Sequence, residues 1–232
     1  MQEVFLVIFY VFILIYSAII HEVAHGVMAL WLGDATAKYA GRITFNPLSH
    51  IDPMMTIMMP IMMLILSGGA FAFGGAKPVP YNPYNLRNQK WGPTLVAFAG
   101  PLSNIIVALL FAVIGKLLII PVAIKHDIVM SLVHANWSGL AILAAGSIEA
   151  IFFVICVMAI FWNVLLAFFN LIPIPPLDGS KLLFAILPIK TETMAILEQF
   201  GFIALFFVII VFSTPLGIFL GFMLDLFMRL TI

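Results

Sequence analysis

Long uncharged runs constrain this chain more than any other feature. Val4–Trp31, Thr94–Ile120, Ser147–Leu171 and Phe200 to about Leu224 are nearly continuous apolar stretches. Each reaches the ~20 residues that a helix needs to cross the hydrocarbon of a bilayer. In lipid, backbone N–H and C=O groups must bond within the segment, so such runs fold as helices. Of the 232 residues 64% are hydrophobic and only 9% charged, where a soluble domain is about a quarter charged. The expected fold is an all-α polytopic membrane protein, one domain over residues 1–232, with four to six membrane segments. The lipid bilayer is its first partner. A formal net charge of zero gives no polybasic signal for nucleic acid. The lone Cys156 lies inside an apolar run and offers neither an internal disulfide nor a thiolate metal site. The first run is too long for the core of a cleaved signal peptide and is read as retained.

Between the runs the punctuation is specific. Gly33-Asp34 reads as a helix stop. Residues 38–45 mix β-branched and aromatic side chains and predict a short strand or β-hairpin. Asn46-Pro47 and Asp52-Pro53 are turn signals around His50. Asp52 reads as the cap of the next helix, whereas His50 stays open between a turn bond, a water gate and a ligand. Met54–Phe73 is apolar but carries Pro60 and is followed by glycines, so it either spans or re-enters. Lys77–Trp91 is a stiff, extended, proline-rich loop. Residues 121–145 are too polar to span and predict a loop with an interfacial helix anchored by Trp137, with His126 and His134 at the surface. Residues 180–198 read as a polar loop, and Pro215 leaves 200–224 as one kinked span or two half-helices.

Chemistry enters at His21-Glu22-Val23-Ala24-His25, near the end of the first run. Histidines four apart share one helix face, where one zinc ion can take both imidazoles. Glu22 sits beside them, placed to polarise a metal-bound water. Three ionisable side chains in one turn of a membrane helix are costly and mark a functional site rather than a pair of core histidines. Another break follows the run that ends at Leu171. Asn170-Leu171-Ile172-Pro173-Ile174-Pro175-Pro176-Leu177-Asp178-Gly179 forces extended backbone at membrane depth. Such backbone is tolerated only where it lines a cavity or is buried in protein. Asp178 there suits a third zinc ligand, and the alternative is a cap for a helix starting at Gly179. In Ala99-Gly100-Pro101-Leu102-Ser103-Asn104, small residues permit close helix approach, and Asn104 reads equally as a helix–helix hydrogen bond or a functional group.

A shared metal needs the two helices that end near His25 and before Asp178 to run parallel. That holds if Met54–Phe73 dips in and returns. With that re-entrant segment, Lys and Arg divide seven to one side and two to the other, leaving Arg229 aside; with a span they divide five to four. The cytoplasmic excess of Lys and Arg favours the first arrangement. It puts the N-terminus outside and the site toward the cytoplasm.

These motifs, in this order, resemble the site-2 protease family of intramembrane zinc metallopeptidases. Phe45-Asn46-Pro47-Leu48-Ser49-His50-Ile51-Asp52-Pro53 is similar to a compact bacterial and archaeal branch. The resemblance implies one Zn2+ per chain held by His21, His25 and Asp178, with Glu22 as general base. It also implies that Asn170 holds substrate backbone near the metal. Transmembrane proteins or peptides are the implied substrates, in a prokaryotic plasma membrane. A PDZ or cystathionine-synthase-type domain, present in some relatives, is missing from these residues. The extended Pro173–Pro176 stretch and the expected strand at 38–45 are candidate edges for an unwound substrate. Two rival readings are a CAAX-type membrane zincin using Glu149, and a non-enzymatic zinc transporter.

Overall fold

The computed structural model describes residues 2–66, 68–69, 74–187 and 191–232. In chain order the α-helices are α1 (Gln2–Trp31), α2 (Thr36–Tyr39), α3 (Met59–Leu66), α4 (Gly92–Leu117), α5 (Val122–Val133) and α6 (Trp137–Ala144). They continue with α7 (Ile148–Asn170), α8 (Gly179–Ile186), α9 (Thr191–Gln199), α10 (Gly201–Val211) and α11 (Ser213–Arg229). Of these, α1, α4 and α7 are long and apolar enough to cross a membrane. The pair α10 and α11 is bent by 86° and adds at most a fourth crossing among the described residues. Pro215 explains the break: its ring would clash with the carbonyl of Val211 in a continuous helix but is tolerated in the first turn of a new one.

The chain divides into two compact units, Met1–Ser17 with Pro101–Ile232, and Ala18–Gly100. The first is built around α7, whose Phe153, Val157, Ile160 and Val164 have no exposed surface. Against it pack Ala108 and Ala112 of α4, Ile128 of α5, Leu140 of α6 and Phe227 of α11. Lipid tails are as apolar as leucine, so close van der Waals contact and interhelical hydrogen bonds drive this assembly. Ala108 and Ala112, one turn apart, supply the closeness. Asn104 and Asn163 supply the bonds. Asn104 Nδ2 donates to Ser17 O (3.1 Å) and Asn163 Oδ1 (2.7 Å), and Asn163 Nδ2 donates to Ser17 Oγ (2.8 Å). Each such bond contributes about 0.6–2 kcal/mol in a membrane.

Elsewhere in this unit, residues 121–145 form two helices, α5 and α6, where one was expected. Lys125 of α5 is buried, and its Nζ donates to Gly115 O, Lys116 O and Thr231 O, using its three donors on carbonyls near two helix ends. His126 and His134 are exposed, as their polar surroundings predicted. Trp137 packs its ring edge on Tyr10 at 5.2 Å. Where a polar loop was expected at 180–198, the helices α8 and α9 occur; in α8, Ser180 and Phe184 recur at one-turn spacing and both are buried. Residues 188–190, which include Lys190 of the charge count, lie outside the described residues.

In the second unit, α1 ends where expected. Gly33 takes the left-handed conformation (φ +110°) that glycine adopts without strain. Asp34 then fixes the next turn by accepting from Thr36 N and Oγ1, Asn82 N and Asn85 Nδ2. Burial would raise this carboxyl, but the hydrogen bonds outweigh it and hold Asp34 below the usual carboxylate range. The same contacts start α2, so the strand or β-hairpin expected at 38–45 gives way to one helical turn, and no strand occurs among the described residues. Asp52 caps the following helix by accepting from Met54 N and Met55 N, both at 2.9 Å. That helix opens with a wide π-type turn, Pro53–Met58, ahead of Pro60, which has no N–H to give. From Pro53 to Ile65 it is too short to cross unaided. Gly75 N then donates to Met55 O, and Thr56 Oγ1 donates to Gly75 O, so the chain is back beside the start of its own helix. Residues 67 and 70–73 of the expected re-entrant stretch lie outside the described residues.

Candidate metal centre

The last turns of α1 place His21 and His25 one above the other, with ring centroids 4.6 Å apart and planes at 89°. His21 is buried and His25 half-buried. His25 Nδ1 lies 2.7 Å from Val96 O on α4. A carbonyl only accepts, so Nδ1 carries the hydrogen and Nε2 keeps its lone pair. This is the carbonyl-oriented tautomer that metal-binding histidines use.

Gly100 shows where those lone pairs meet. A Cβ built there would sit 2.5 Å from His25 Nε2 and 2.7 Å from His21 Nε2. Both nitrogens therefore converge over one point of bare α4 backbone, in a cradle that any side chain would fill. Two imidazole nitrogens facing one small space suit zinc chemically. Glu22 points to the neighbouring extended segment, where its Oε2 accepts the N–H of Val79 at 2.9 Å.

Asp178 occupies the N-cap position of α8 but makes no capping bond with its side chain, and its backbone is helical (φ −58°, ψ −36°). A capping aspartate usually has extended backbone and accepts from the first turn. The cap reading thus loses its main support. The turn before it is tightly made: a Cβ on Gly179 would lie 2.2 Å from Leu171 O. Asn170 ends α7 and donates its side-chain Nδ2 to Leu166 O at 2.8 Å. Pro173 is exposed and Pro175 half-buried in the non-helical turn that follows. Asn104 makes the helix-to-helix bonds described above. His50 is buried, with Nε2 2.8 Å from Thr44 O. Glu149 is exposed in the first turn of α7, the end opposite Asn170.

Several residues of weight escaped the sequence reading. Asn163 had a legible signal, a polar side chain in the middle of a span. Val79 had none, since its contribution is a backbone N–H.

The helices define a membrane protein, and one of its membrane-length helices carries two histidines a turn apart with a glutamate beside them. The sequence model of Peptidase family M50 matches residues 9–212, and the chain belongs to that family. It is 38% identical over 206 residues to YwhC of Bacillus subtilis, a protein provisionally named a zinc metalloprotease, covering 88% of this chain and 80% of that one. It is 28% identical over 200 residues to Rip2 of Mycolicibacterium smegmatis and of Mycobacterium tuberculosis, with the same provisional name. Those matches cover 86% of this chain and 64% of each Rip2. No solved structure matches the chain.

Proposed function

We propose that the chain is an intramembrane zinc metalloprotease that hydrolyses peptide bonds of transmembrane protein substrates. The observation that carries this is the convergence of His21 Nε2 and His25 Nε2 over Gly100, on a membrane-length helix with Glu22 between them. His21, His25 and Asp178 would hold one Zn2+ per chain. Two histidines with one carboxylate leave a coordination position for water. A zinc ion bound there would acidify a water and polarise the scissile carbonyl. Glu22 takes the proton of the attacking water and passes it to the leaving nitrogen. The Val79 N–H holds one carboxylate oxygen, orienting the other for that transfer.

A transmembrane helix must unwind before its carbonyls can be attacked, and the opened backbone needs new partners. The segment after Gly74 supports this better than the 38–45 stretch. Gly75, Lys77 and Val79 all bond to one side, through Met55 O, His50 O and Glu22. By the period-two alternation of extended backbone, Ala76, Pro78 and Pro80 turn their backbone groups to the other side. That edge leaves the Ala76 N–H and the carbonyls of Ala76, Pro78 and Pro80 for strand addition by substrate; Asn170, Pro173 and Pro175 are the other residues proposed to hold substrate.

The return of Gly75 to Met55 supports a re-entrant segment at 54–73. With it, the Lys and Arg excess places the N-terminus outside and the site toward the cytoplasmic side of the plasma membrane.

The test is zinc per folded chain and cleavage of a transmembrane substrate, compared among wild type, Asp178→Ala, Glu149→Ala and Glu22→Gln. About one zinc in wild type and Glu149→Ala, with clear loss in Asp178→Ala, is expected. Zinc retained in Asp178→Ala and lost in Glu149→Ala would instead favour the CAAX-type site. Glu22→Gln should keep zinc and lose cleavage; zinc-dependent cleavage that survives in it removes the proposed mechanism, and metal flux without cleavage in wild type points to a carrier.

A further inference from the structure

Arg42 is buried, yet among the described residues it forms no ion pair with a carboxylate. Its Nη2 donates to Lys77 O at 2.6 Å. The N–H of the same residue, Lys77, donates to His50 O at 2.8 Å. Lys77 is therefore gripped at both of its backbone polar groups, by Arg42 and by His50. His50 is itself fixed, because Nε2 must donate to Thr44 O. Arg42 Nε and His50 Nδ1 are buried with no hydrogen-bond partner among the described residues. One is a donor, and in the neutral ring the other is an acceptor, so the leftover groups of the two gripping residues are complementary.

Two residues beyond Lys77, on the same edge of the extended segment, is the Val79 N–H that meets Glu22. A strand that slips by one residue turns every N–H to its other edge. Pro78 and Pro80 have no N–H, so no neighbour can replace Val79 in that bond.

We propose that Arg42 is a positioning residue: it locks Lys77, and so sets the register in which the Val79 N–H holds Glu22. The proposal rests on Glu22 as the base. A charged donor on a buried carbonyl is stronger than a neutral one, which suits a residue that must hold backbone with no side-chain partner of its own. It also gives the His50 motif a role away from the metal, as the other jaw of the grip.

The test combines hydrogen exchange of the Lys77 and Val79 amides with a double-mutant cycle on kcat. Arg42→Met keeps the apolar stem and removes every donor. In zinc-matched protein it should speed exchange at both amides by about tenfold and lower kcat by about five- to tenfold, the worth of one hydrogen bond. Arg42→Lys can still reach Lys77 O and should restore most of the protection. Val79→Pro deletes the N–H itself, so adding Arg42→Met to it should cost little more. Should Arg42→Met not fold, Arg42→Gln, too short to reach Lys77 O, replaces it. Wild-type exchange at Val79 in whichever of Arg42→Met and Arg42→Gln is used, or rate losses that add in the double mutant, overturns the proposal. Exchange is read without activity, so a zinc-loaded wild type that cleaves nothing refutes the proposed function while the grip is still judged.

Discussion

Gly100 offers the sharpest test of the metal cradle. Replacing it with alanine places a Cβ 2.5 Å from His25 Nε2 and 2.7 Å from His21 Nε2. Ordinary contact requires roughly 3.4 Å or more, so the His25 ring must retreat by about 0.9 Å and the His21 ring by about 0.7 Å. His25 cannot swing away freely, because its Nδ1 is bonded to Val96 O at 2.7 Å. A zinc site tolerates ligand distances within about 0.2 Å of their ideal values. The substitution should therefore weaken zinc by at least about 100-fold, beyond what the loss of a supporting residue typically costs. The fold should not suffer in parallel, since Gly→Ala inside a helix gains up to about 1 kcal/mol in propensity. Gly221→Ala in α11, where an added Cβ meets nothing within 4 Å, is the control and should keep full zinc. The assay is zinc per chain after dialysis against a graded chelator, with thermal unfolding measured on the same samples. Wild-type zinc affinity in Gly100→Ala would refute the convergence of the two nitrogens on that point.

Glu22→Gln should reduce cleavage by about 10²- to 10⁴-fold with zinc per chain unchanged, read by turnover and metal analysis. Asn163→Ala removes the donor to Ser17 Oγ and the acceptor for Asn104, so stability in mixed micelles should fall by about 1–2 kcal/mol; reversible unfolding measures it. Asp34 has a folded pKa below its ordinary value. The stability it contributes is full above the unfolded value of about 3.9 and is lost as pH falls through the folded value. Asp34→Asn should lower stability at neutral pH and flatten that acid dependence, as denaturant midpoints across pH would show. Lys125→Met leaves the carbonyls of Gly115 and Thr231 without their shared donor and should lower thermal stability without changing zinc content.

The long helices were legible because membrane insertion is decided locally: an apolar run must satisfy its own backbone wherever it lies. That reasoning located α1, α4 and α7 to within three residues at every end. The stacking of His21 on His25 was legible for a similar reason, since residues four apart on a helix face the same way in any fold. Gly33, Asp52 and the break near Pro215 were equally local, each set by one residue's dihedral preference, capping oxygen or missing N–H.

Other features depend on residues far apart in sequence, and only the tertiary structure decided them. The 38–45 stretch has strand-like composition, but Asp34 starts a helical turn that takes in Lys38 and Tyr39, with help from Asn82 and Asn85, some 50 positions away. Residues 180–198 looked polar, yet two helices occur there, the first of which buries Ser180 and Phe184 on one face. Gly100 could be read only as a small residue until the histidine nitrogens stood above it. Val79 reaches Glu22 through its main chain, which is the same in nearly every residue and so leaves no mark in the sequence. Side-chain pattern fixes what a segment buries and where it bends; which backbone groups then face Glu22 depends on the register between segments, and register exists only once the chain has folded.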